Sequence, residues 1–462
     1  MSTIWFPDLS NTDGPKYLAL TEAIRKAIVS TQLKAGEKLP PVRELGWQLK
    51  VTPGTVARAY SKLTDEGLLT AAVGRGTFVA EPKQGYVFTS STIPMQKPDV
   101  IELLSPLLPD VGQEALIRSC YMRMAQVPNG NLIDYPSQQT ESNARVAIYN
   151  WLSDVDLGRY VADDIMLAHG AQNAIMLILQ TVLKDPDPVI FTEDLTYAGF
   201  RHAARLLRAQ IVGLKFDEDG ILPQSYEDAC RKYGPQVLCT SPEVNNPTTG
   251  FTGLARRREI VDIARQYGGI ILEDDSYNLQ GSGLPAYRAL LPEQCYYVSS
   301  LSKSLTPSLR VGFVVAPDGK SQIIKRAAQY NHFGLAITIT DLTEMVLGSP
   351  ELSGIRENII TKVNEYVQMA VNILGGYDLK WREGVPFLWL KLPRGWRASN
   401  FCMATEKIGV RLRSADDFAL IDGRAPHSVR LTVNGRIALE DFEAALLKIE
   451  HLLSNPPDCI EV

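Results

Sequence analysis

Residues 298–312 read Val-Ser-Ser-Leu-Ser-Lys-Ser-Leu-Thr-Pro-Ser-Leu-Arg-Val-Gly, which sets Lys303 among hydroxyls with Arg310 seven residues further on. A lysine amine can condense with an aldehyde to give a Schiff base. Ser300, Ser302 and Arg310 can bind a phosphate, the arginine through its forked guanidinium. The set suits an aldehyde cofactor that carries a phosphate. A solvated serine-rich loop is the other reading of the same residues, so the weight falls on whether other segments agree.

Four segments bear on this. Ala168-His-Gly-Ala-Gln-Asn-Ala opens a helix, and Gly170, Ala171 and Gln172 at its start offer free backbone N–H groups to an anion. Asn246, in Asn245-Asn-Pro-Thr-Thr-Gly, can donate its amide to a phenolate-like oxygen or be part of an ordinary Asn-Pro turn. Ile270-Ile-Leu-Glu-Asp-Asp-Ser-Tyr is a strand running into acids and then Tyr277. A carboxylate there would keep a pyridine nitrogen protonated; three successive acids could also bind a metal or be solvated. Tyr197 follows a further strand, where it could stack on a flat ring or simply pack.

These motifs need a frame to hold them. Short β-rich runs at 189–191, 211–214, 237–240, 269–272, 296–298 and 311–315 alternate with helical stretches. Such alternation predicts an α/β body with a mostly parallel sheet covered by helices. Ligands in such folds sit at the carboxyl ends of strands, where the motifs fall.

The first eighty residues differ in kind. Residues 15–33 place Leu18, Ile24, Ala27 and Ile28 at helical spacing, and Gly36 ends that segment. A second helix starts at Pro41 with Leu45 and Leu49 on one face. Thr52 as N-cap and Pro53 open a third, with Val56, Tyr60 and Leu63 inward and Thr55, Arg58 and Lys62 outward. Two short helices joined by a tight turn predict a helix-turn-helix. A hairpin about Gly74-Arg-Gly follows, its tip carrying Arg75, which could meet a minor groove or phosphates.

Charge agrees with this division. The chain of 462 residues has a net charge of −5, yet residues 14–80 hold ten Lys/Arg against five Asp/Glu, a net +5 that leaves −10 for the rest. A basic head on an acidic body suggests that the head meets a polyanion. Residues 81–100, with three prolines and no periodicity, predict a linker between a head at 1–80 and a body at 101–462. Hydrophobic residues at 45% and charged ones at 21% exclude a disordered chain, and no apolar run is long enough for a membrane span. No leader is evident, and six cysteines without a Cys-x-x-Cys pair predict reduced thiols, no metal and a cytoplasmic location.

Leu39-Pro-Pro-Val-Arg-Glu-Leu-Gly and Gly76-Thr-Phe-Val resemble the signatures of the GntR regulators, a winged helix-turn-helix family. The resemblance implies Arg43, Thr52, Thr55, Arg58 and Arg75 as contacts to double-stranded operator DNA. From about residue 100 to 455, the motifs taken in order resemble the fold-type-I aminotransferases, which bind pyridoxal 5′-phosphate and have a small C-terminal α+β subdomain. That resemblance implies Lys303 as the Schiff-base lysine and Asp274 as partner of the pyridine nitrogen. Asn246 and Tyr277 would bind the ring hydroxyl oxygen, and Tyr197 would stack on the ring. Ala171, Gln172, Ser300, Ser302 and Arg310 would bind the phosphate, joined by Tyr135 from the neighbouring subunit of a head-to-tail homodimer. Arg430, in His427-Ser-Val-Arg-Leu-Thr-Val-Asn, would grip the carboxylate of a ligand.

A GntR-like head on such a body resembles the MocR family of bacterial transcriptional regulators. The resemblance implies a small amine or amino-acid effector sensed as an external aldimine. A working aminotransferase with an attached head is the alternative. Three family segments depart from pattern: Tyr135-Pro-Ser-Gln-Gln-Thr lacks a glycine, Leu412-Arg-Ser-Ala-Asp-Asp-Phe lacks Pro-Gly, and Gly384-Val-Pro-Phe-Leu-Trp replaces a Gly-Gly start. All three lie where the family places substrate or entrance loops, which suggests a retained cofactor beside an altered ligand pocket.

Overall fold

The computed structural model describes Pro7 and residues 15–30, 32–34, 36–65, 68–72, 76–79, 100–126, 133–420 and 425–456. Contacts divide the chain into two units, Met1–Met95 and Gln96–Val462. The division falls inside the stretch expected to be a linker, of which residues 81–99 lie outside the described residues.

In the head, three helices span Lys16–Val29, Val42–Gln48 and Pro53–Asp65. Leu20, Ile24 and Ala27 of the first are buried, whereas Leu18 is exposed. Leu20 leads the inward face because positions i, i+4 and i+7 align along a helix, and Leu18 lies about half a turn away. Val56, Tyr60 and Leu63 pack inward as expected, and the Tyr60 hydroxyl donates to Pro40 O at 2.9 Å. Thr52 Oγ1 accepts the Thr55 N–H at 3.3 Å and so caps the third helix. Lys50, at φ 51°, makes the tight turn between the second and third helices. Strands Leu69–Ala72 and Gly76–Val79 pair antiparallel.

The body is built on a seven-stranded sheet. Its spatial order is Ile165–Ala168, Gly312–Val315, Cys295–Ser300, Ile270–Asp274, Val237–Thr240, Val189–Glu193 and Gln210–Leu214. Gly312–Val315 runs antiparallel to both neighbours; the other strands run parallel to one another. Strands of this kind are covered on both faces, and successive residues enter different cores. Val237 and Cys239 pack against the helix Ala171–Val182, while Leu238, between them, packs with Tyr226 and Ile260 on the other side. Each fully buried aliphatic side chain of this set contributes roughly 1.5–3 kcal/mol.

A second, four-stranded antiparallel sheet takes the order Leu379–Lys380, Phe387–Lys391, Ser428–Thr432 and Arg413–Ser414. It shares its core with the helices Leu352–Leu374, Ala398–Lys407 and Leu439–Ser454 and with one face of the larger sheet, through Phe401, Phe442 and Phe313. The two-residue strand Ile101–Glu102 pairs with Val410–Arg411 and leads residues 103–107 across the body. The α/β architecture with a small C-terminal subdomain is thus present.

Candidate functional site

The carboxyl ends of the parallel strands collect the chemistry. Cys295–Ser300 delivers Ser300 and the loop of Lys303; Ile270–Asp274 delivers Asp274 and then Tyr277; Val237–Thr240 leads to Asn246. The register sets Asp274 beside Val298, so the acid and the lysine loop leave adjacent strands at the same level.

Lys303 is held by a segment that carries none of the motifs. Its Nζ donates to Ser105 Oγ at 3.2 Å and to Pro106 O at 3.1 Å, and lies 5.9 Å from the centre of the Tyr277 ring. Burial pushes its pKa down to about 8, and the charges of Arg430, Arg310 and Arg413 push the same way. An amine of this kind is partly neutral near physiological pH, the condition for nucleophilic attack on a carbonyl.

Asp274 is buried, and burial raises its carboxyl to about 6 against the hydrogen bonds from the Ser276 hydroxyl (2.5 Å) and N–H (3.2 Å). A buried acid in this condition is short of positive charge, which a protonated ring nitrogen would supply. Of its neighbours, Asp275 accepts from the Tyr297 hydroxyl at 2.7 Å and from Asn278 at 3.1 Å, and Glu273 accepts the Arg288 N–H at 3.3 Å. No cluster of His, Cys, Asp and Glu among the described residues could hold a metal ion. Tyr197 and Tyr277 have their hydroxyls pushed up chiefly by burial, each also through the charge of Asp274. Tyr277 meets Phe387 edge-on at 5.1 Å.

At the opposite edge lies a turn shaped for an anion. Gly170, at φ 82°, precedes the helix Ala171–Val182, and a Cβ on Gly312 would come within 2.3 Å of the Gly170 carbonyl carbon and 2.6 Å of Ala171 N. Glycine at both places lets the two strand ends close up with the helix N–H groups facing outward. Arg310, at φ 52°, reaches back to His169 O at 3.3 Å. Ser302 Oγ and Gln172 Oε1 are buried without a partner, and Ser300 is buried beside them in sequence at its strand end. The Ser302 hydroxyl is thereby left free to donate to an anion. The depleted lysine, the undercompensated acid, the glycine cradle and the orphaned hydroxyl together fit pyridoxal 5′-phosphate.

The third part of the site is made by the small sheet. Arg430 is buried; its Nη1 donates to Asn246 Oδ1 at 2.5 Å and its Nη2 to Leu104 O at 2.6 Å, while Nε has no partner. Burial lowers its pKa to about 10, with the Arg413 charge adding to this and Tyr277 and Asp417 opposing it. Phe418 and Phe387 flank its guanidinium at 4.7 and 5.4 Å.

Lys303, Asp274, Tyr277, Tyr197, Asn246, Arg310 and Arg430 are therefore brought together, with Ala171, Gln172, Ser300 and Ser302 at the anion turn. Tyr135 is not: it is 83% exposed, its ring 6.0 Å from that of Phe333. In the head, Arg43 and Arg58 are exposed and Thr55 is half-buried, its hydroxyl 2.9 Å from that of Thr52. Arg58 stacks on Tyr17 at 4.4 Å, and Arg75 lies outside the described residues. Sequence reasoning missed the carbonyls of Leu104 and Pro106, the Ser105 hydroxyl, Arg413 and the two phenylalanines. The carbonyls leave no trace in side-chain types; Arg413 stood in plain view in a segment read only for the Pro-Gly it lacks.

Fold and site together define an aminotransferase-type body carrying a winged helix-turn-helix head. The aminotransferase class I and II family matches residues 108–440, and the chain belongs to it; the gntR family of bacterial regulatory proteins matches residues 16–79. The HTH-type transcriptional regulator YdeF of Bacillus subtilis is 29% identical over 98% of this chain and 97% of its own. The vitamin B6 salvage pathway transcriptional repressor PtsJ of Salmonella typhimurium is 25% identical over 91% of this chain and 95% of its own. Among solved structures, an archaeal alanine:glyoxylate aminotransferase superposes with a TM-score of 0.69, 21% identity, and coverage of 77% of this chain and 91% of that one, a likeness of fold. No helix among the described residues is long and apolar enough to cross a membrane.

Proposed function

We propose that this protein is a transcriptional regulator that binds operator DNA through its head and senses a small amine through pyridoxal 5′-phosphate held in its body. The observation that carries this reading is the union, in one chain, of a GntR head and a complete lysine site, a union that an HTH-type regulator matches over nearly its whole length.

Pyridoxal 5′-phosphate, when bound, supplies an aldehyde that condenses reversibly with primary amines. Lys303 would anchor it, Asp274 would hold a proton on the ring nitrogen, and Tyr277 and Asn246 would face the ring hydroxyl. The turn of Gly170, Ala171 and Gln172 with Ser300, Ser302 and Arg310 would take the phosphate. Tyr197 would cover the ring. Arg430 would receive an acid group of the incoming amine. In the head, Arg43, Thr52, Thr55 and Arg58 would meet the duplex, with Arg75 at the tip of the wing. A head-to-tail homodimer in the cytoplasm would present two heads to two half-sites. The exposed Tyr135 and Phe333 side chains support such an interface.

The test is a titration of the purified, cofactor-loaded full-length protein with primary amines, following the visible spectrum and assaying oxo acid. A spectral change that stops without oxo-acid release, and that alters operator affinity, is expected. Steady release of oxo acid would favour the alternative, a working aminotransferase, which the completeness of the cofactor residues also supports. Lys303→Ala should abolish the absorption that arises from the covalent link between lysine and cofactor, leaving at most that of the free aldehyde.

A further inference from the structure

Arg413 has no place in the reading above. It lies directly opposite Arg430 on the neighbouring antiparallel strand, so both side chains rise from the same face of the small sheet. Both also converge on one acceptor: Leu104 O receives Arg413 Nε at 3.0 Å and Arg430 Nη2 at 2.6 Å. Like charges directly opposite each other are destabilising unless something offsets them.

The offset within the chain is partial. Asp417 Oδ2 lies 3.7 Å from Arg413 Nη1, an ion pair beyond hydrogen-bond reach. The same carboxylate also faces Arg201 and Arg430, so one acid serves three guanidinium groups. Among the described residues no carboxylate lies within ion-pair distance of Arg430; its partners are the neutral oxygens of Asn246 and Leu104, and its Nε is buried and unbonded. The Arg413 charge acts on Lys303, Tyr277 and Tyr197, which sets it over the amine end of the site. Its side chain is only 18% exposed.

We propose that the effector is an amine bearing two acidic groups, a dicarboxylic amino acid in its simplest form. The first acid binds Arg430 and Asn246, and the second binds Arg413 in place of the Leu104 carbonyl. The proposal rests on the amine-sensing reading. It adds that one acid group alone leaves Arg413 undercompensated.

The experiment compares each acid with its neutral isostere on the cofactor-loaded full-length protein: L-glutamate with L-glutamine, L-aspartate with L-asparagine, L-2-aminoadipate with L-homoglutamine. Isothermal titration and the visible spectrum give the affinities. In at least one pair the acid should bind on the order of tenfold tighter or more, as a charge-assisted hydrogen bond predicts. Arg413→Gln should bring that acid down to the affinity of its neutral counterpart in the same variant. Its thermal midpoint without ligand reports whether it is folded; should it not be, Arg413→Met serves, since methionine keeps an unbranched apolar stem and loses the charge. Equal affinity within every pair, or discrimination that survives in the folded variant, overturns the proposal while leaving amine sensing intact. A protein that loads the cofactor and responds to no amine overturns both.

Discussion

The two ends of the proposed site are built on different principles. The end proposed for the phosphate is local: Gly170, Ala171 and Gln172 are consecutive, Ser300, Ser302 and Arg310 lie on one strand end and the loop after it, and both groups leave strands tied to Gly312–Val315. The acid end is assembled from afar, with Leu104, Asn246, Phe387, Arg413 and Arg430 drawn from five separate segments. A few backbone positions fix the first, whereas the second depends on the mutual placement of two sheets and on residues 103–107. Changes at the acid end can therefore alter the ligand while the cofactor stays. The three segments that depart from the family pattern fit this: two of them supply Phe387, Arg413 and Phe418 to the acid end.

Breaking the local end should have the largest effect. Gly312→Ala drives a methyl into the backbone of Gly170 and Ala171. Overpacking of that kind costs about 3 kcal/mol, which read as cofactor affinity is roughly a hundredfold. Equilibrium titration with pyridoxal 5′-phosphate measures it, with circular dichroism to establish that the variant is folded. Arg430→Ala should act on the other end, weakening an acidic effector by about 2 kcal/mol, or roughly thirtyfold, and the cofactor by clearly less. Equal losses for both ligands would show that the two ends are not separable.

The smallest effect is kinetic. Lys303 at about 8 rather than the ordinary 10.5 leaves about one molecule in ten with a neutral amine at pH 7, against about one in three thousand without the shift. Cofactor capture by the stripped protein should speed up as pH rises toward about 8 and level off above it. A rate still climbing beyond pH 9 would mean that burial and the three arginines do not depress the lysine.

The same contrast explains what could be read from residues alone. Strand ends carry compact signals, such as Ser-Leu-Ser-Lys after an apolar run or three acids before Tyr277, and the frame follows from alternating β-rich and helical stretches. The third head helix starts as expected at Pro53, the second ends at Gln48 and leaves Leu49 as its C-cap, and the inward register of the first shifts from Leu18 to Leu20. Carbonyl acceptors are different: every residue has one, so nothing distinguishes Leu104 or Pro106 until the fold aims them. Arg413 was hidden by a register effect: opposing it to Arg430 takes a pairing between strands that no local pattern reveals.

The carbonyls of Leu104 and Pro106 do more than complete a set of hydrogen bonds. They accept from Arg430, Arg413 and Lys303, so the three cations that greet a ligand also moor one stretch of backbone. Any acid that takes the arginine donors takes them from Leu104, and a half-buried carbonyl that loses its donors must turn to water or shift. That stretch follows directly on the strand Ile101–Glu102, the first strand of the body among the described residues. A ligand that takes the arginine donors therefore bears on the course of the backbone as well as on the side chains it meets.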